Sequence, residues 1–301
     1  STIEGLLFPL SVFTGLVQFF LPGLFFLIGK PNLKEIFRHF PGKCATMLIE
    51  WRDWMKQGKR RLRVGRILVL TLLVAGIWFG GKWAMEEWGL FDSRIAVALD
   101  AGHGGNDPGA EGIIVETQLT ETTVRYLEDY FRQDENYRVI LCRDYGEGKD
   151  INGRWRLANR KGADLLLCVH GNSSEDPSAR GFEAYPPPPD RKYHAEALSF
   201  AKLLAGEISQ TGIPLRGDSG VRYAYYQGNE KILTDSPDPE LESLPSFGMV
   251  DYPDCPAVLA EQCFLTNQED VSLLGTEEGC RKAALCYYRA VCAYFGTEPL
   301  F

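Results

Sequence analysis

Two long apolar stretches stand near the start of the chain. Residues 5–29 contain no charged side chain, and a helix of that length, at about 1.5 Å per residue, crosses a bilayer core of roughly 30 Å. A second apolar stretch covers about residues 67–88, where Lys82 can snorkel to the membrane surface and the tryptophans suit the interface. The hydropathy pattern therefore predicts two transmembrane helices within residues 1–91.

The charges between these stretches predict an orientation in the membrane. Residues 30–66 carry 11 Lys or Arg side chains and three acidic ones, so the positive-inside rule assigns this loop to the cytoplasm. A cleaved signal peptide is the alternative, but its apolar region is only about 7–15 residues long and it leaves the second stretch unexplained. We expect residues 1–91 to anchor the chain in the cell membrane and residues 92–301 to form an extracytoplasmic domain.

Short apolar runs alternate with amphipathic segments through this second part of the chain. Six runs are typical of strands, at 94–100, 137–143, 164–170, 181–185, 221–226 and 257–261. Apolar residues at helical spacing predict helices at 120–134, 193–208 and 282–295. The alternation favours one layered α/β domain.

One segment, residues 227–246, interrupts the alternation, and we refer to it as the acidic segment. It contains five acidic side chains and three prolines and lacks core periodicity. The acidic segment has two possible interpretations: a solvated surface excursion, or a lid or docking loop near the crevice of the domain.

Charge and cysteine content argue against several classes of function. Residues 92–301 hold 20 basic and 34 acidic side chains, and this net charge of −14 argues against nucleic-acid binding. The eight cysteines include no Cys-x-x-Cys pair, and Cys142 and Cys168 lie in apolar runs, where small buried side chains are expected. The glycines of GHGGNDPG are not followed by the Lys-Ser or Lys-Thr of a phosphate-binding loop.

Two of the four histidines stand at the ends of predicted strands. His103 lies in the segment LDAGHGGNDPGA directly after the strand at 94–100, and His170 ends the strand at 164–170. Strand ends of an α/β sheet face the crevice in which such folds place their chemistry. We therefore predict that both histidines belong to one site.

Acidic residues complete this candidate site. Glu116 stands just ahead of the next predicted helix, although Glu111 and Glu121 lie close by. Two histidines and one carboxylate match a catalytic zinc site, which keeps a fourth position open for water. Glu261 is the only acidic residue that ends a later apolar strand, and such hydrolysis needs a general base and acid of this kind.

Six sequence blocks, which occur in order over about residues 94–296, carry a resemblance to a known family. The blocks are LDAGHGGNDPGA, LCRD, NGRWRLAN, ADLLLCVHGNS, SGVR and PAVLAEQCFLTNQED. Together they resemble the zinc-dependent N-acetylmuramoyl-L-alanine amidases of the amidase_3 type.

The resemblance implies a three-layer α/β fold with a mixed central sheet and helices on both faces. It implies one zinc ion held by His103, Glu116 and His170, and it assigns the role of catalytic glutamate to Glu261. The implied substrate is peptidoglycan, in which the enzyme hydrolyses the amide between N-acetylmuramic acid and L-alanine of the stem peptide. Arg154 falls on the family's arginine, as either an orienting or a purely structural residue.

The chain departs from the family pattern in three places, which leave substrate fit and regulation open. Gly171 stands where alanine is common, Cys263 stands where glycine is common, and the acidic segment lengthens the approach to the last strand. Two other classes stay open: another zinc peptidase of the cell wall, such as a carboxypeptidase, and a non-catalytic membrane scaffold that binds the wall. Because we see no separate wall-binding repeats, the chain also resembles spore-cortex members of the family. Whether a lipoprotein or another regulatory partner binds the chain stays open.

Overall fold

In the computed structural model, which describes residues 70–78 and 92–301, a five-stranded sheet forms the centre of the larger region. The strands of this region are β1 (Ile95–Ala101), β2 (Tyr137–Leu141), β3 (Leu165–Asn172), β4 (Glu183–Tyr185), β5 (Tyr223–Gln227), β6 (Glu230–Thr234) and β7 (Ala257–Phe264). The central sheet has the order β2-β1-β3-β7-β4, in which the first four strands are parallel and β4 runs antiparallel to β7. Strands β5 and β6 pair with each other in a separate antiparallel sheet.

Four long helices connect or follow these strands within residues 92–301. They are α1 (Glu116–Gln133), α2 (Ile151–Arg160), α3 (His194–Ser209) and α4 (Glu277–Phe295). Shorter helical turns lie at Gly248–Asp251 and Gln268–Asp270, and the second of these continues into a π-helical turn at Val271–Gly275.

Alternate side chains of the central strands enter two separate hydrophobic cores. Val97 and Leu167 point to the face that α1, α3 and α4 cover, whereas Ala98 and Cys168 point to the face that α2 and the turn at Gly248–Asp251 cover. Because both faces are buried, the parallel strands are almost continuously apolar. The predicted mixed central sheet is confirmed, and helices lie on both of its faces.

Residues 70–78 form a helix in a unit that is separate from the larger domain. Across the two described ranges, no helix combines the length and the apolarity that a membrane crossing requires. The predicted span at 5–29 and the basic loop at 30–66 lie outside the described residues, and the predicted span at 67–88 is described only at 70–78.

Three helices differ from the expectation drawn from the hydrophobic pattern, and one of them, α4, begins at Glu277, five residues before the predicted start at 282. Helix α1 begins at Glu116, four residues before the predicted start. The sequence pattern misses this start because the first turn of the helix is mostly polar and the residue before it, Val115, offers no capping side chain. The pattern does not predict α2, because only Arg154 and Ala158 of its residues are buried. Its start is marked instead by Asp150, whose carboxylate accepts a hydrogen bond from the backbone N–H of Gly153 at 2.9 Å.

The acidic segment is partly built into a sheet. Residues Glu230–Thr234 form β6, and Ile232 and Leu233 pack against the two cores from opposite faces of that strand. The segment lies at the surface, since Glu230 and Lys231 are exposed, but these five residues form a strand and three of them are half-buried. Two apolar side chains are too few to predict a strand in a stretch dominated by acidic residues and proline.

The cysteines of residues 92–301 are all free and buried. This confirms the expectation that Cys142 and Cys168 are small buried side chains. Cys263, on β7, is completely shielded from solvent in the core beneath α4.

A fully buried carboxylate joins β4 to β7 at the edge of the sheet. Asp270 Oδ2 accepts hydrogen bonds from the backbone N–H of Gly181, just before β4, at 2.7 Å and of Phe264, at the end of β7, at 3.0 Å. Its other oxygen lies 3.3 Å from Arg180 Nε. Removing a buried acceptor leaves its donors desolvated and unpaired, which costs more than the hydrogen bonds themselves contribute.

We expect Asp270→Ala to lower the free energy of unfolding by about 3 kcal/mol, because two buried N–H groups lose their acceptor and Arg180 loses one of its two carboxylate partners. Glu269→Ala is the matched control, since it removes the adjacent exposed carboxylate that also pairs with Arg180, and it should cost less than about 1 kcal/mol. Urea unfolding followed by circular dichroism measures both variants. Equal losses in the two variants would contradict this role of Asp270.

Candidate active site

The predicted site residues lie at the carboxyl ends of β1, β3 and β7. In the register of β3 against β7, His170 is aligned with Glu261. Strand β1 leads into the loop that carries His103, and this loop ends at Glu116, the first residue of α1. The sheet topology therefore brings all four residues to one edge.

Glu116 stands between the two histidines. Its Oε1 lies 2.9 Å from His170 Nδ1, and its Oε2 lies 3.2 Å from His103 Nε2. The two imidazole rings are 5.0 Å apart between centroids and nearly perpendicular. Ligand atoms of the three side chains all lie within 4.8 Å of one another, a spacing that allows them to hold one metal ion.

Two backbone N–H groups fix the carboxylate of Glu116. Ala110 donates to Oε2 at 2.8 Å, and Gly171 donates to Oε1 at 3.0 Å. Burial of the side chain favours its neutral form, but the hydrogen bonds from His103 and His170 outweigh burial and hold the pKa of Glu116 well below its usual range. The carboxylate is thus ionised, as a metal ligand must be.

The side chains of Glu111 and Glu121, the two other acidic candidates, do not join the two histidines. Glu121 pairs with Arg143 Nη1 at 2.7 Å and accepts a hydrogen bond from the backbone N–H of Gly146 at 2.8 Å. Glu111 is exposed and lies outside the group of residues that could share a metal. The geometry therefore selects Glu116 from the three candidates.

Glu261 faces this group from β7. Its Oε2 is buried and accepts no hydrogen bond from any residue that the structure describes. Burial, reinforced by the negative charge of Glu116, raises the pKa of Glu261 to about 7. A carboxyl group that titrates near neutral pH can take up a proton and return it during one reaction cycle.

A family profile described as N-acetylmuramoyl-L-alanine amidase, amidase_3, matches residues 97–293, which include all four site residues. The chain belongs to this amidase family. Similar curated proteins include the probable N-acetylmuramoyl-L-alanine amidase AmiB of Haemophilus influenzae, 27% identical over 234 residues, and AmiC of Neisseria meningitidis, 26% identical over 226 residues. Each match covers 69% of this chain and 54% of the relative, so the chain spans about half the length of these proteins.

Solved structures of amidases share the fold of this chain. The catalytic domain of CwlV from Bacillus (Paenibacillus) polymyxa aligns with a TM-score of 0.55 at 24% identity, covering 68% of this chain and 99% of that domain. An N-acetylmuramoyl-L-alanine amidase from Clostridium difficile aligns with a TM-score of 0.56 at 21% identity, covering 69% of this chain and all of that one.

Two buried arginines hold the loop that carries His103 in this amidase-family domain. Arg154 donates to the carboxylate of Asp100 at 3.1 Å and to the carbonyl of Ala101 at 2.8 Å, and it also donates to the carbonyl of His103. Arg143 donates to the carbonyl of Ala101 at 2.8 Å. Of the two interpretations of Arg154, these contacts favour an orienting residue.

Asp107 contacts His103 on the side away from Glu116. Its Oδ2 lies 2.8 Å from His103 Nδ1, and its Oδ1 accepts a hydrogen bond from the backbone N–H of Gly109. A carboxylate that accepts a proton from Nδ1 fixes the imidazole tautomer and directs Nε2, which contacts Glu116 here, toward the position that a shared metal ion would take. The sequence analysis did not identify Asp107, whose only signal is its place four residues after His103.

Two glycines leave space for the side chains of the site residues. A Cβ atom on Gly102 would lie 2.4 Å from His170 Cε1. A Cβ atom on Gly109 would lie 2.5 Å from Glu116 Oε2, and the φ of +71° at Gly109 also disfavours any other residue. Backbone therefore approaches the ligand side chains more closely than an alanine permits.

We expect Gly102→Ala to displace the His170 ring and to lower the metal affinity by about tenfold, the usual effect of disturbing a ligand's support, so that after dialysis against a chelator the variant retains less metal per chain than the wild type. Gly206→Ala is the matched control, because that glycine lies within α3 with open space around it, where alanine favours the helix. Elemental analysis of both purified variants measures the effect. Full metal content in Gly102→Ala would show that this close approach does not position His170.

Proposed function

We propose that this chain hydrolyses the peptidoglycan amide between the lactyl group of N-acetylmuramic acid and L-alanine of the stem peptide, as a zinc-dependent amidase. The observation that carries the proposal is the convergence of His103, Glu116 and His170 opposite Glu261. Membership of the amidase family and the names of the curated relatives support the same substrate.

The three ligand residues suit zinc. Zinc takes imidazole nitrogen and carboxylate oxygen at about 2.0–2.2 Å in a tetrahedron, so its ligand atoms lie roughly 3.3–3.6 Å apart. The separations between His103 Nε2 and Glu116 Oε2, 3.2 Å, and between His170 Nδ1 and Glu116 Oε1, 2.9 Å, are hydrogen-bond distances slightly shorter than this spacing. Ligand atoms of all three side chains lie within 4.8 Å of one another, so the same side chains can converge on one ion. Three protein ligands leave the fourth position to water or substrate, as catalytic zinc sites require.

In the proposed reaction, the metal ligands and Glu261 have different roles. A zinc ion bound here supplies polarisation of the amide carbonyl and a lowered pKa of water. Glu261, with a buried and unpaired Oε2, accepts the proton of the water that adds to the carbonyl carbon. It then donates that proton to the amide nitrogen as the carbon–nitrogen bond breaks, which releases the amino group of L-alanine.

We expect Glu261→Ala to keep one zinc per chain and to lose activity by a factor of about 10² to 10⁴, the usual contribution of general acid–base catalysis. His170→Ala should lose both zinc and activity, because it removes a ligand. Glu298→Ala, which removes an exposed carboxylate near the end of the chain, is the control for purification and folding. The measurements are zinc per chain and mass spectrometry of digested peptidoglycan.

The same digestion separates the alternatives. Stem peptides with a free L-alanine amino group support the proposal, whereas release of terminal D-alanine indicates a carboxypeptidase. A chain that binds the wall without zinc and releases nothing is a scaffold. Wild-type activity in the Glu261→Ala variant would overturn the assigned role of Glu261.

We also propose that residues 1–91 anchor the enzyme in the cell membrane with residues 92–301 outside. The uncharged stretch at 5–29 and the 11 basic residues of 30–66 support this topology. A membrane-impermeant maleimide should label Cys44 only after cells are permeabilised, and it should label the exposed variant Ser272→Cys in intact cells. Labelling of Cys44 in intact cells would contradict this orientation.

Two relatives support a finer proposal, a role in sporulation with a lipoprotein partner. One is the sporulation-specific N-acetylmuramoyl-L-alanine amidase of Bacillus subtilis, 34% identical over 93 residues, which is 30% of this chain. The other is the CwlD amidase of Clostridioides difficile, solved in complex with the GerS lipoprotein, with a TM-score of 0.51 at 21% identity. This role adds no residue to the catalytic site described above.

A further inference from the structure

The β5–β6 hairpin, formed partly by the acidic segment, is fixed to the edge of the domain. Arg222 pairs with Asp235, just after β6, at 2.8 Å and with the buried Glu183 of β4 at 3.0 Å. The backbone N–H of Tyr226 donates to the carbonyl of Pro245 at 2.8 Å. These contacts hold the hairpin against the edge of the central sheet.

One face of the hairpin points to the same side of the sheet as Glu261. Tyr226 and Lys231 are partners across the hairpin and therefore share a face. Leu233, two residues from Lys231, packs in the core that contains Leu259 of β7. Glu261 is two residues beyond Leu259 and so shares that face of the sheet.

Phe247 joins this face of the hairpin to the central sheet. Its ring packs edge-on against Tyr226, with centroids 5.8 Å apart, and against Tyr185 of β4, with centroids 5.4 Å apart. Lys231 Nζ lies 5.8 Å from the centroid of the same ring. The aromatic side chains thus set the position of the Lys231 ammonium beside the β4–β7 edge of the site.

Lys231 and Tyr226 both lie within electrostatic reach of Glu261. Burial raises the pKa of Glu261, and the charge of Lys231 opposes that rise. Burial also raises the pKa of Tyr226, and the charge of Glu261 adds to it. The geometry agrees, because Phe247 packs on Tyr185, which is paired with Leu259, two residues before Glu261, so the hairpin borders the part of β7 that carries Glu261.

Lys231 is exposed, and no carboxylate within residues 92–301 forms an ion pair with it. The nearby arginines differ in this respect, because Arg216 and Arg222 both pair with Glu183, and Arg154 pairs with Asp100. Lys231 is thus a cation at the rim of the site that is available to an external anion.

We propose that Lys231 binds a carboxylate of the stem peptide, so that the β5–β6 hairpin selects acidic stems over amidated ones. This inference rests on the proposed function, because it concerns the substrate of the same site. The second residue of the stem offers the relevant choice, since its α-carboxyl group is either free or converted to a carboxamide. A free carboxylate forms a charge-assisted hydrogen bond with an ammonium, and a carboxamide does not.

The test uses the 301-residue chain and two disaccharide-tripeptide substrates that differ only in this carboxylate or carboxamide. The wild type should show a KM for the carboxylate substrate about three- to fivefold lower than for the carboxamide substrate, as an ion pair with an exposed lysine predicts. Lys231→Met should bring the ratio of the two KM values to about one by raising KM for the carboxylate substrate alone. Because Lys231 also lowers the pKa of Glu261, any change in kcat should be the same for the two substrates. Lys231→Glu should invert the preference, and Lys231→Arg should retain it.

Lys202→Met is the matched control, because Lys202 is an exposed lysine of α3, and it should keep the wild-type ratio. A wild-type ratio of KM values in Lys231→Met, or an equal rise in KM for both substrates, would overturn the role of Lys231 and leave the proposed function standing. If the wild type cleaves neither substrate, the proposed function itself fails and the role of Lys231 fails with it.

Discussion

The candidate site depends on one buried carboxylate, that of Glu116. Each of its oxygens faces one histidine and accepts one backbone N–H, from Ala110 on one side and Gly171 on the other. These four contacts keep the group ionised in spite of its burial. They also fix the distance between the loop after β1 and the end of β3, and so the spacing of the metal ligands.

Holding this arrangement requires an unfavourable backbone conformation at His103. Its φ of +59° lies in the left-handed region, which costs a residue other than glycine about 1–3 kcal/mol. Arg154, bound to the carbonyl of His103, and Asp107, bound to its ring, offset that cost. The buried pair of Arg154 with Asp100 therefore serves the site, because it fixes the guanidinium that orients the loop.

The sequence predicts that the site residues share one edge of the sheet, because His103 follows the apolar strand β1, and His170 and Glu261 lie in the second halves of the apolar strands β3 and β7. It predicts the surroundings less well, since these depend on contacts between distant segments. The pairing of Asp107 with His103 leaves no hydrophobic pattern, and β6 is a strand because β5 and the two cores bind it. The position of Lys231 beside Glu261 follows from that pairing and from the packing of Phe247, neither of which local sequence encodes.

X-ray absorption at the zinc edge tests most directly whether His103, Glu116 and His170 hold the metal. The chain also contains seven buried free cysteines in residues 92–301, which are the competing zinc ligands. We predict a first shell of nitrogen and oxygen only, at about 2.0–2.2 Å, with two imidazoles resolved by their outer-shell scattering. A sulfur shell at about 2.3 Å, or an unchanged spectrum in the His170→Ala variant, would contradict a zinc site at these residues.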